Sequence, residues 1–445
     1  MLETIFQLLL AATLLFSPGF DHENGSIRQD VYAFVNVTVI PMTGEHVLTN
    51  QTVIIEGDRI VAIGPVADIQ IPSSAERIDG NGRYLIPGLS EMHGHIPPPT
   101  QSAQNIENVL FLYVANGITT VRGMLGYENQ LELKERAFNG EIISPNLYLA
   151  GPSFSGNSVN SPEQAIQRVR AQVSEGWDLL KIHPGLTLEE YDAMAETAHE
   201  LGIRFGGHVP ADVGLAHAIE MGQETFDHLD GYIEYVVDDA GYIDEYRLSD
   251  IVTRSKDAGA WVVPTMVLWE TILGVGNLEA MQDYPELQYV SPRSVQGWVN
   301  AFEQRVGNTN FDPVYMNRIA DARMRILFEL HKGGVGILMG TDAPQQFSVP
   351  GFSLHREMEK MVESGMSPYE VLKSGSANVG QYFSNEDDFG TIQIGQRADL
   401  LLLNANPLES VNNISNRAGV MVKGRWLTEE DIQHRLNEIR QLYDS

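Results

Sequence analysis

The chain has no cysteine among its 445 residues. Disulfides and thiolate metal sites are therefore excluded, and any bound metal must rest on nitrogen and oxygen donors. Basic residues are scarce as well: 29 Lys and Arg stand against 59 Asp and Glu, a formal charge of −30. Such a field repels nucleic acid and anionic membrane surfaces, which argues against both as partners. Long apolar runs are missing apart from Ile5 to Phe16, which is too short to span a bilayer. Followed by Ser17-Pro18-Gly19, it reads as a signal peptide over residues 1–20, although no Lys or Arg precedes it. The expectation is a secreted or periplasmic protein without membrane insertion, with a buried helix in a cytoplasmic protein as the alternative.

What is present is ample for folding. A hydrophobic content of 43% over this length suits one large domain and a smaller one. Tyr32 to Ile40 alternates apolar and polar positions, and Val53 to Gly64 reads as two strands joined at Gly57-Asp58. From Leu85 the pattern changes to short apolar runs alternating with helical stretches. The runs are Tyr84 to Met92, Ile118 to Arg122, Asn146 to Gly151, Leu179 to His183, Arg204 to Val209, Thr225 to Leu229, Trp261 to Met266 and Val335 to Thr341. Helix starts with a capping hydroxyl three residues before Glu or Gln occur at Ser161, Thr187 and Ser367.

Eight β runs with intervening helices predict an α/β fold, a (β/α)8 TIM barrel over residues 85–389. Residues 31–84 and 390–427, where Ala398 to Leu403 and Gly419 to Trp426 are again β-like around a Lys423-Gly424 turn, are expected to join in one small β-sandwich. A helix over 428–445 opens at Thr428. The long segment between the last two barrel runs, Val267 to about Gly334, carries Trp269, Tyr284, Tyr289, Trp298 and Phe302. Most of these aromatics are expected to pack on the barrel wall, and a lid over the mouth is the functional alternative.

Chemistry concentrates at the ends of these runs. His93 and His95 are two apart on a strand and share a face. His208, His228 and Asp342 end later runs, and the C-terminal ends of barrel strands gather at one mouth. A buried carboxylate at Asp342 is costly without a cation or donors nearby. Lys181 cannot ligate as an ammonium, but a neutral amine adds carbon dioxide to give a carbamate, which is a carboxylate able to bridge two ions. That arrangement would hold two divalent ions about 3.5–4 Å apart and a water acidified to near neutral pH.

With Pro87-Gly88 leading into His93-Gly94-His95, the lysine, two further histidines and Gly340-Thr341-Asp342, the chain resembles the amidohydrolase superfamily with a binuclear metal centre. The resemblance extends from about Val31 onward. Gly351-Phe352-Ser353-Leu354-His355-Arg356-Glu357 and Gly395-Gln396-Arg397-Ala398-Asp399-Leu400 are most similar to the branch with Xaa-Pro dipeptidases, carboxypeptidases and imidazolonepropionase-like enzymes. The resemblance implies that His93, His95 and Asp342 bind one ion and His208 and His228 the other, with carboxylated Lys181 as bridge and Asp342 as the catalytic proton shuttle. Zinc is the default metal for such ligands, with manganese or cobalt as alternatives.

The chain departs from related dipeptidases at Arg122-Gly123, where they often have Arg followed by Asp. It departs from mononuclear deaminases in lacking a Glu after His208.

The expected reaction is hydrolysis of an amide or peptide-like bond in a small or dipeptide-like substrate. The alternatives are a lactone, cyclic amide or xenobiotic amide or ester, and a non-catalytic binding or scaffold protein. Candidate substrate contacts are Arg122 for a carboxylate, Tyr232 for a scissile carbonyl, and His183 and His355 near the mouth. Each also has a plain structural role open to it. Oligomeric state is not legible, and the sequence is compatible with a homo-oligomer.

Overall fold

A computed structural model describes residues 30–443. The expected signal peptide lies outside the described residues. Among them, no helix is long and apolar enough to cross a membrane.

Strands β1 (Val31–Val39), β2 (Leu48–Glu56), β3 (Arg59–Pro65), β4 (Glu76–Asp79) and β5 (Tyr84–Pro87) open the chain. The β2–β3 hairpin pairs Glu56 with Arg59, so Gly57-Asp58 forms its two-residue turn. Eight parallel-type strands follow: β6 (Leu89–Gly94), β7 (Ile118–Gly123), β8 (Asn146–Leu149), β9 (Leu179–Ile182), β10 (Arg204–Gly207), β11 (Thr225–Asp227), β12 (Trp261–Val263) and β13 (Gly336–Ile337). The chain ends with β14 (Leu400–Leu403), β15 (Arg417–Val422), β16 (Arg425–Thr428) and the helix Glu429–Gln441. At the β15–β16 turn Lys423 and Gly424 both have positive φ, 51° and 73°, the backbone that a tight hairpin requires.

The first five and last three strands form one eight-stranded sheet in the order β16-β15-β14-β5-β1-β2-β3, with β4 also paired to β1. β5 is the join, parallel to β1 and antiparallel to β14. Phe34, Val53, Ile55, Leu400 and Met421 share the core of this sheet. The expected first barrel run, Tyr84 to Met92, is therefore two strands, β5 here and β6 in the parallel layer. Gly88 sits at the break because a Cβ there would lie 2.2 Å from Thr119 Oγ1.

The remaining strands form two parallel sheets, β6-β7-β8 and β13-β12-β11-β10-β9. Backbone bonds run across both gaps between them. On one side Gly151 N donates to Leu179 O (3.1 Å) and Phe154 N to Lys181 O (2.8 Å). On the other Met92 N donates to Met339 O (2.9 Å) and Asp342 N to His93 O (2.8 Å). Helices alternate with the strands, and the expected caps are in place: Ser161 accepts from Gln164 N, while Thr187, Ser367 and Thr428 form reciprocal capping boxes. The large apolar core lies between the parallel strands and these helices.

The long β12–β13 connection is helical, with α-helices Met266–Leu273, Leu278–Gln282, Pro292–Val306 and Pro313–Gly333 and a 3-10 turn at Pro285–Tyr289. Its aromatics are mainly packing elements: Arg323 lies over Trp269, Arg356 over Tyr284, and Tyr289 stacks on Phe352. Trp298 meets Phe347, five residues after Asp342, so this layer covers the loop that follows the last parallel strand.

Candidate metal centre

The ends of β6, β9, β10 and β11 and the segment after β13 bring His93, His95, Lys181, His208, His228 and Asp342 together. The His93 ring centroid is 5.5 Å from that of His95 and 4.4 Å from that of His228, and His208 and His228 are 4.6 Å apart. Asp342 Oδ1 is 2.6 Å from His95 Nε2 and 3.8 Å from His93 Nε2; Oδ2 is 3.7 Å from His228 Nε2. Lys181 Nζ, fully buried, lies 3.2 Å from His93 Nε2. Two glycines make the approach feasible. A Cβ on Gly340 would meet His93 N at 2.8 Å, and one on Gly207 would meet Lys181 Cδ at 3.0 Å and strain a backbone at φ +124°.

Three imidazoles are held from behind through Nδ1: His93 by Asp227 Oδ2 (2.7 Å), His208 by Asp230 Oδ2 (2.6 Å) and His228 by Thr265 Oγ1 (2.8 Å). A proton on Nδ1 leaves Nε2 as a lone pair directed to the centre, the pattern of histidines that ligate metal. His228 Nε2 is buried with no hydrogen-bond partner among the described residues. A buried acceptor without a partner is costly, and a cation relieves it. His93, His95 and Asp342 place one donor atom each within 4.8 Å of one another. The residues present fit divalent metal, with His95 Nε2 and Asp342 Oδ1 2.6 Å apart in this structure.

The electrostatics agree. Burial holds the His93 and His228 imidazoles well below the usual range, helped by neighbouring cationic groups, which favours the neutral rings that a metal site requires. Burial likewise lowers Lys181 to about 8, with Asp227 and Asp342 opposing the shift. His228 (φ 65°), Thr265 (46°) and Asp342 (63°) all occupy the left-handed region, where non-glycine residues store strain.

Among the other candidates, His183 lies beside the centre, its ring 5.0 Å from His208, and burial drops it to about 3. The other three side chains are engaged away from the centre. Arg122 is completely buried; it donates to both Asp227 oxygens (3.2 Å each), Met92 O (2.6 Å) and Thr225 Oγ1 (3.0 Å), so it has no face for a substrate carboxylate. Tyr232 turns into the wall, its hydroxyl 2.8 Å from Ser255 Oγ. His355 lies on the helix Phe352–Glu363 with Arg417, Asn116 and Arg356 as its neighbours, not the ligand set.

For Arg122→Met we expect a stability loss of about 3–5 kcal/mol, because the buried Asp227 carboxylate loses its guanidinium partner and keeps only His93 Nδ1 within hydrogen-bond distance. The urea midpoint measures it; unchanged stability with a raised KM would restore the substrate role.

Sequence reasoning missed Glu91, Asp227, Asp230 and Thr265. Glu91 accepts from His93 N (3.0 Å), Thr341 N (2.8 Å) and Thr341 Oγ1 (2.6 Å), tying β6 to the segment bearing Asp342. Burial pushes it up to about 8. A signal existed, since Glu91, His93 and His95 share one face at period two.

The amidohydrolase family model matches residues 84–427. An adenine deaminase from Rhizobium meliloti is 22% identical over 401 residues, which are 85% of this chain and 54% of that protein. The chain thus spans about half the length of that relative. An imidazolonepropionase from Idiomarina loihiensis is 23% identical over 395 residues, 82% of this chain and 90% of that one. In structure, an Xaa-Pro dipeptidase with methionine bound in its active site superposes with a TM-score of 0.68 at 19% identity, covering 90% of this chain and all of that chain.

Proposed function

The chain belongs to the amidohydrolase family, and on that footing we propose that it is a metal-dependent hydrolase of amide or peptide bonds, with a dipeptide or N-acyl amino acid as substrate. The observation that carries this reading is the buried His228 Nε2, without a hydrogen-bond partner among the described residues, facing a cluster of imidazoles and one carboxylate. His93, His95 and Asp342 would hold one ion and His208 and His228 a second, zinc being the default. Lys181 would bridge them as a carbamate: its neutral amine forms an N–C bond to carbon dioxide and releases a proton. Its burial against His93 Nε2 supports that role. Divalent ions in such a centre polarise a carbonyl and lower the pKa of water to about 7.

The chain's own groups do the rest. Asp342 accepts the proton of the attacking water and passes it to the leaving nitrogen, so that water and amide become acid and amine. Asp227, Asp230 and Thr265 keep the imidazoles in one tautomer. Val209-Pro210-Ala211 follows His208 without a glutamate, which separates the site from mononuclear deaminases. The two parallel sheets, from β6 at Leu89 to β13, would form one (β/α)8 barrel, supported by the backbone bonds across both gaps. The eight-stranded sheet of β1–β5 and β14–β16 would curl as a small sandwich, and Ile5 to Phe16 would serve export.

Metal analysis of purified protein is expected to give two divalent ions per chain. Chelation should abolish hydrolysis of a panel of dipeptides, N-acyl amino acids and lactones and lower the melting temperature, since ions bound only by the folded state stabilise it, by about 2.7 kcal/mol at 100 times Kd. A metal-free preparation with full activity refutes the proposal, and the panel decides between peptide and lactone substrates.

A further inference from the structure

Behind the centre, β12 passes into the helix Met266–Leu273 through Thr265. A threonine just before the first helical turn ordinarily accepts a hydrogen bond from one of that turn's free backbone amides. Thr265 makes no such bond; its hydroxyl lies 2.8 Å from His228 Nδ1 instead. The amides are satisfied from a distant part of the chain. Met266 N donates to Glu357 Oε1 at 2.8 Å and Val267 N to Oε2 at 2.9 Å, across 91 and 90 residues. Glu357 is fully buried. A carboxylate suits this place because it offers two acceptors to two amides at the positive end of a helix. Buried Arg323 completes the hold, donating from Nη2 to the carbonyl oxygens of His228 (2.5 Å) and Pro264 (3.4 Å).

We propose that Glu357 is a positioning residue for the metal centre: by capping the Met266–Leu273 helix it releases the Thr265 hydroxyl to hold His228 with Nε2 directed at the ion. This rests on the reading of His228 as a ligand. Without Glu357 the first turn's amides are orphaned, and the hydroxyl of Thr265 at the N-cap position is the kind of group that ordinarily serves them, so the two demands on it compete. His228 and Leu229 have φ of 65° and 57°, so this backbone sits outside the broad minima and its geometry depends on what surrounds it.

The test is cobalt binding to the full-length protein by competition with a chromophoric chelator. The wild type is expected to take two ions. Glu357→Gln should keep one at wild-type affinity and hold the other about 10- to 100-fold more weakly, the usual cost of losing a group that orients a ligand. Thr265→Val should show the same single-site loss and Thr265→Ser should restore it. The double variant Glu357→Gln/Thr265→Val should bind no more weakly than either single one, because both act through one bond.

Two wild-type affinities in Glu357→Gln, with only a lower melting temperature, would make Glu357 a helix cap and nothing more. An additive double variant would overturn the proposal in the same way. Should Glu357→Gln not fold, Thr265→Val carries the test, and normal binding of both ions by that variant overturns the inference. A wild-type chain that takes up no cobalt overturns the metal reading and this inference with it.

Discussion

Asp342→Asn is expected to lower kcat by roughly 10²- to 10⁴-fold, the range for a general acid–base group, while the metal content stays near that of the wild type. The substitution isolates the chemistry unusually well. Asp342 has φ 63°, and asparagine is among the few residues that tolerate this region, so the backbone is not newly strained. The main-chain anchor, Asp342 N to His93 O at 2.8 Å, does not involve the side chain. An amide oxygen can still approach the His95 and His228 rings, which lie 2.6 and 3.7 Å from the carboxylate. What the amide cannot do is take up a proton and return it. Turnover and metal content measured on the same preparation decide the matter, and near-normal turnover in a metal-replete variant removes Asp342 from the mechanism.

Lys181→Ala is expected to lose more than about 10²-fold in activity together with bound metal, since the loss of groups that merely orient ligands already costs 10- to 100-fold. The side chain is wholly enclosed, with Nζ 3.2 Å from His93 Nε2 and 4.0 Å from Asp227 Oδ2. Truncation to alanine therefore opens a space beside His93 rather than at the surface. A short carboxylic acid supplied in solution, formate or acetate, should enter it and restore part of the activity by standing in for the carbamate. Restoration by a primary amine and not by a carboxylate would reverse the assignment and make the lysine a cation in the mechanism. An unmodified lysine in a metal-loaded crystal structure would end the carbamate reading outright.

Every one of the eight apolar runs contains a strand, and the hairpin turns at Gly57-Asp58 and Lys423-Gly424 are where their residue types place them. Local chemistry decides such features: alternation selects strands, a hydroxyl three residues before Glu selects a helix start, and turn residues adopt positive φ at little cost. The clustering of His93, His95, Lys181, His208, His228 and Asp342 followed from the same logic, because parallel strands send their C-terminal ends to one side. Arg122 and Tyr232 show where that logic stops. A strand end says which mouth a residue is near but not whether its side chain is already consumed, and Arg122 is consumed by Asp227, 105 residues away.

Composition and spacing alone determined that this chain has no thiolate, that it carries a formal charge of −30, and that His93, His95, Lys181, His208 and His228 recur at the ends of apolar runs. Those properties are local or additive, and no folding is needed to read them. The tertiary structure alone decided which groups stand behind the clustered histidines: Asp227, Asp230 and Thr265 at Nδ1, Glu91 tying β6 to Thr341, and Glu357 supplying a helix cap from 90 residues away. Each of these acts through hydrogen bonds whose partners are chosen by packing, and a residue type common at turns and surfaces carries no mark of having been buried for that purpose.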